Sequence, residues 1–87
     1  MAKYKIEIKK STQKEIYKLP DQDLKRILIK IEALADNPRP LDSQKLSGEE
    51  KYRVRVGNYR ILYFIEDQLL VIIVIKVAHR KDVYKRK

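Results

Sequence analysis

Between Tyr52 and Val77 the chain spells out three strands in succession, and no other stretch constrains its fold as tightly. In Tyr52–Val56 the apolar residues Tyr52, Val54 and Val56 alternate with Arg53 and Arg55, the two-residue period of a strand with one buried face. Gly57-Asn58 reads as a two-residue hairpin turn, because glycine accepts positive φ and asparagine tolerates it. Tyr59–Glu66 then sends Tyr59, Ile61, Tyr63 and Ile65 to one face and Arg60, Leu62 and Phe64 to the other. Asp67-Gln68 turns the chain again into Leu69–Val77, which is apolar on both faces and so reads as an interior strand. Strands joined this tightly predict an antiparallel meander.

The preceding half supplies the cover for that sheet. "KYKIEIKK" alternates Tyr4, Ile6 and Ile8 with charged residues, the pattern of a half-buried strand. A short helix follows from "STQKE", where Thr12 and Glu15 have capping-box spacing, and it presents Ile16 and Leu19 inward before Pro20. Asp21 or Asp23 is placed to cap a second helix, whose stripe of Leu24, Ile27, Leu28, Ile31, Leu34 and Ala35 recurs at three- and four-residue steps. "DNPRP" stops it. The expected fold is α+β, a compact β-α-α-β-β-β domain over residues 1–87. Its C-terminal meander carries two helices on one face, and a short basic tail follows. Leu62 and Phe64 leave the other face partly apolar, which calls for cover by the tail or by a partner protein.

Composition narrows the function classes. The chain of 87 residues has no cysteine, so disulfides and Cys-based zinc sites are excluded. No apolar signal-peptide core is visible near the start, and the run "LLVIIVI" is too short to cross a bilayer, so a cytoplasmic protein without membrane attachment is expected. The net charge of +9 is uneven. Lys51, Arg53, Arg55 and Arg60 fall within ten residues that hold no acid, and the tail "HRKDVYKRK" is again basic. Such polarity draws polyanions and speeds encounter with them.

The arginines admit two readings: a solvated polar face, or a site for a polyanion. Arg53 and Arg55 project from one face of one strand about 6–7 Å apart, a separation that suits successive phosphates of a nucleic-acid strand. The Gly57-Asn58 turn folds Arg60 back beside them, and the last strand delivers His79, Arg80 and Tyr84 to one end of the sheet. Guanidinium groups with one imidazole and one phenol suit phosphodiester cleavage. The arginines hold the phosphate and stabilise developing charge, while Tyr84 stacks on a base or gives a proton. Gathering all of them on one face favours the polyanion reading.

The segment "KLSGEEKYRVRVGNYRILYFIEDQLLVIIVIKVAHRKDVYKRK" resembles the C-terminal half of RelE-type toxins of the RelE/ParE superfamily. The shared elements are a "KL-G" loop, a basic alternating strand, "YRILY", an aliphatic strand and a closing "HRKDVY", and the β-α-α lead-in extends the likeness over the whole chain. The resemblance implies a toxin that cleaves mRNA in the ribosomal A site and is restrained by a cognate antitoxin. It also implies catalytic roles for Arg60, Arg80 and Tyr84, with His79 beside them, and RNA contacts from Lys51, Arg53 and Arg55. Where family members often carry lysines this chain has Arg53 and Arg55, and arginine cannot give up its proton. A general base must then be His79, Tyr84, Glu49, Glu50 or the ribosome, and His79 has the most suitable intrinsic pKa, about 6.5. Attack by the substrate's own 2′-OH needs no metal or other cofactor, and no metal-ligand cluster is legible. Two alternatives share the fold: a ParE-like inhibitor of DNA gyrase, and a catalytically silent module that binds RNA or an antitoxin.

Overall fold

The computed structural model describes residues 3–46 and 50–79. Seven elements run in the order β1 (Lys5–Ile8), α1 (Lys10–Tyr17), α2 (Asp21–Leu34), β2 (Gln44–Lys45), β3 (Lys51–Val56), β4 (Tyr59–Glu66) and β5 (Val71–His79). They form one five-stranded sheet ordered β1-β5-β4-β3-β2. The α+β class, the two helices on one face and the β3–β4–β5 meander agree with expectation. Two features lay outside it. β1 joins β5 in parallel, with Lys5 opposite Val71 and Ile8 opposite Val74, so the sheet is mixed. Gln44 and Lys45, expected in a polar loop, pair with Arg53 and Tyr52 as a two-residue edge strand.

The core lies between the helices and one face of the sheet. Ile16 of α1 and Ile27, Ile31 and Leu34 of α2 pack on Tyr52, Val54, Ile61, Tyr63, Ile65, Ile72, Val74 and Val77, all buried. Burial of side chains of this kind stabilises a fold by about 1.5–3 kcal/mol each before chain entropy is counted. Tyr63 is fully buried, stacks on Tyr52 with ring centroids 5.9 Å apart, and donates its hydroxyl hydrogen to the Pro38 carbonyl at 2.7 Å. Burial pushes its pKa up to about 12.

The helix starts differ from their reading. Lys9 and Pro20 occupy the two N-cap positions, and neither start has a side-chain cap. Thr12 sits inside α1, buried, and donates its hydroxyl hydrogen to the Ile75 carbonyl at 2.8 Å. The reason is a bulge in β5. Leu62 opposes Lys76 while Tyr63 opposes Val74, so Ile75 is an extra residue with no partner opposite. Straight alternation from Ile72 and Val74 would have driven Lys76 into the core; the bulge puts Val77 there instead and leaves Lys76 exposed. Lys76 then bridges Glu15 of α1 at 3.0 Å. Thr12 is thus the clamp that ties α1 to the irregular carbonyl.

The turns complete the frame. Gly57 has φ 58° and Asn58 is not in the positive-φ region, the pattern of a type II′ hairpin turn. Arg26 of α2 lies over it, with Nη2 3.1 Å from where a Cβ on Gly57 would stand. The β4–β5 turn is longer than Asp67-Gln68: it extends through Leu70, which has φ 55°, and β5 begins at Val71 rather than Leu69.

Candidate phosphate-binding face

The side of the sheet away from the helices carries the arginines. On β3 it presents Lys51, Arg53 and Arg55, and these oppose Phe64, Leu62 and Arg60 of β4 in that order. Arg55 and Arg60 are therefore direct cross-strand neighbours beside the Gly57 turn. Like charges in that relation destabilise a sheet unless an anion lies between them. Arg55 is exposed, whereas Arg60 retains only 5% of its accessible surface and lies opposite Ala78 of β5. Arg53 donates an Nη2 hydrogen to Gln44 Oε1 across the β2 edge, which aims it, and Lys51 Nζ stands 5.7 Å from the centroid of the Phe64 ring.

Several acids are engaged elsewhere. Arg39, in the loop after α2, donates from Nη2 to Asp67 Oδ2 at 2.7 Å and to Glu50 Oε1 at 3.1 Å, and from Nε to the Tyr52 hydroxyl at 2.9 Å. Tyr4 donates to Asp67 at 2.6 Å, and Lys45 reaches Glu50 at 3.3 Å. Hydrogen bonds from Arg39 and Tyr4 hold the Asp67 carboxyl below its ordinary pKa, and those from Lys45 and Arg39 do the same for Glu50. Asp42 bridges Lys30 at 2.8 Å. Among the described residues no carboxylate bridges Lys51, Arg53 or Arg55.

Two of the candidate bases stand apart from the arginines beside the Gly57 turn. Glu50, whose carboxyl Lys45 and Arg39 hold below its ordinary pKa, immediately precedes β3, at the opposite end of that strand from Arg55. His79, expected beside the arginines, faces the helices. Its strand partner is Tyr59, the two rings meet edge to face at 5.2 Å, and Tyr59 donates to Asp23 Oδ2 of α2 at 3.1 Å. Lys51, Arg53, Arg55 and Arg60 are brought together as expected; Arg80, Tyr84 and Glu49 lie outside the described residues. The Arg39 hub and the Asp23–Tyr59 contact were not anticipated. The only sequence signal for the hub was a lone arginine between two prolines in "NPRP".

A helix-backed mixed sheet whose other face is basic and partly apolar defines a class of small α+β proteins. Comparison with known proteins makes the class specific. Residues 6–84 match the family model described as the ParE toxin of type II toxin-antitoxin systems. The toxin designated RelE1 of Methanocaldococcus jannaschii is 37% identical over 87 residues, which span 95% of this chain and 97% of that one. Toxin RelE3 of the same organism is 38% identical over 85 residues, covering 92% and 94%. Among solved structures, the archaeal RelE–RelB complex from Pyrococcus horikoshii superposes with a TM-score of 0.83 at 31% identity, over 90% of this chain and 96% of that chain. The chain belongs to the ParE toxin family, and it is the toxin component of a type II toxin–antitoxin system.

Proposed function

We propose that this toxin is an endoribonuclease that cuts mRNA in the ribosomal A site, without a metal, and so halts translation in the cytoplasm. The observation that carries the reading is the row Lys51, Arg53 and Arg55 on one face of β3, unbridged by carboxylates among the described residues, with Arg55 directly opposite Arg60. Lys51, Arg53 and Arg55 hold the backbone of the message. Arg60 and Arg80 stabilise the charge that accumulates on phosphorus as the substrate's 2′-OH attacks it. The bond to the 5′-oxygen of the next nucleotide then breaks, leaving a 2′,3′-cyclic phosphate. Tyr84 gives the leaving oxygen its proton, and the proton of the 2′-OH passes to Glu49 or to a base supplied by the ribosome. The relatives that bear RelE names support the nuclease reading over gyrase inhibition, which the family model's own name keeps in view.

The partner follows from the same face. Half-buried Leu62, Phe64 and Ile73 lie among the cations, so an antitoxin that presents an apolar element flanked by acids would cover both. The Pyrococcus horikoshii structure, a complex of RelE with RelB, supports an antitoxin as the partner. Expression of Tyr84→Phe and Arg55→Ala in cells tests the reading. Growth arrest should be lost while antitoxin co-purification is retained, and plasmid supercoiling should be normal throughout. Arrest that survives Tyr84→Phe together with relaxed plasmid would establish gyrase inhibition instead.

A further inference from the structure

Tyr59 and His79 close the β4–β5 pair at the end where Arg60 emerges. Tyr59 precedes Arg60, and His79 follows Ala78, the residue opposite Arg60. Their rings meet at 83°, and the Tyr59 hydroxyl is held by Asp23 in the first turn of α2. Around them stand Glu15 and Lys18 from α1 and its C-cap, and Lys76 of β5, with Glu15 already bridged to Lys76. A continuous contact path therefore runs from the start of α2 through Tyr59 to the last residue of β5.

Strand ends fray, and a cross-strand aromatic contact is the local device that opposes fraying. The stake is catalytic because Arg60 is carried on the opposite face of these same residues, and a reacting group misplaced by about 1 Å costs on the order of a hundredfold in rate. We infer that Asp23, Tyr59 and His79 form a brace beneath the arginine face that fixes the backbone carrying Arg60, so that His79 is a positioning residue and not the proton acceptor. This deepens the nuclease reading and rests on it for its kinetic consequence.

The test compares the parent with His79→Phe, His79→Ala and Tyr59→Phe in two measurements. In single-turnover cleavage on programmed ribosomes across about pH 5 to 8, phenylalanine keeps the aromatic edge. Its saturating rate should stay within about threefold of the parent with the same pH profile. Alanine should lower the saturating rate about tenfold or more at unchanged half-saturation, with Tyr59→Phe between the two. Amide hydrogen exchange at Arg60 and Ala78 should quicken in His79→Ala and not in His79→Phe. This second readout needs no cleavage, so it decides the brace even where the parent proves inactive and the nuclease reading falls. A His79→Phe variant as slow as His79→Ala, with a limb of the pH profile abolished, would make His79 the proton acceptor. Unchanged exchange in His79→Ala would remove the brace.

Discussion

Thr12→Val isolates the interaction on which the register of β5 depends. Valine has nearly the shape of threonine, so the change leaves no cavity and removes only the hydroxyl that satisfies the Ile75 carbonyl at 2.8 Å. The site is closed to solvent, with Thr12 1% exposed, so water cannot take the hydroxyl's place. An unsatisfied buried acceptor costs about 1–3 kcal/mol, and the gain from burying a methyl in place of the hydroxyl offsets part of this. A net loss of about 1–2 kcal/mol corresponds to a fall of about 5–15 °C in Tm for a domain of this size. Thr12→Ser keeps the hydroxyl, gives up one methyl, and should lose about 1 kcal/mol. Thermal and denaturant unfolding followed by circular dichroism gives the order parent, Ser, Val. If Thr12→Val matched or exceeded the parent while Ser fell below it, the hydroxyl clamp would be irrelevant and only packing would hold α1 on the bulge.

Other expectations follow from the same structure. Gly57→Ala should cost about 1–2 kcal/mol in unfolding experiments, because alanine resists a φ of 58° and its Cβ would press on Arg26. Asp67 and Glu50 have folded pKa values below their ordinary ones, so the stability they contribute is present above about pH 4 and lost as pH falls through the folded values. In Arg39→Ala that acid loss should shrink, which denaturant titrations at neutral and acid pH would show. Tyr63 has its pKa raised from 10.0 to about 12, so spectroscopic titration should find it resisting ionisation, an absorbance change that Tyr63→Phe removes, and stability should decline between those two values. Arg55→Ala should weaken binding to single-stranded RNA and reduce the slope of log affinity against log salt by about 0.7, the loss of one phosphate contact.

The meander and the helix stripes were legible because each is written in a repeating period. Alternation placed Tyr52 and Val54 against Arg53 and Arg55, and the three- and four-residue spacing of Ile27, Ile31 and Leu34 gave the buried stripe of α2. What escaped was aperiodic. The bulge at Ile75 left one trace, Lys76 standing where continued alternation asks for an apolar residue. The bulge reverses the facing of every later residue of β5, so that His79, expected among the arginines, lies under them. Thr12 was read as a cap because capping-box spacing is a local pattern, whereas its partner is 63 residues away. The Arg39 hub joins the residue before β1, β3 and two loops, and no local pattern encodes such a meeting.

The central claim is that an arginine face holds a message while its own 2′-OH cuts it. The most direct test incubates purified toxin with a defined mRNA, free and on ribosomes paused at a known codon, then maps the 5′ ends by primer extension and identifies the 3′ end of the upstream fragment. The account predicts a cut within the A-site codon only when ribosomes are present, with a 2′,3′-cyclic phosphate on the upstream fragment. Intact message in both tubes would contradict it, and a 3′-hydroxyl on the upstream fragment would show that water, not the 2′-OH, attacks the phosphorus.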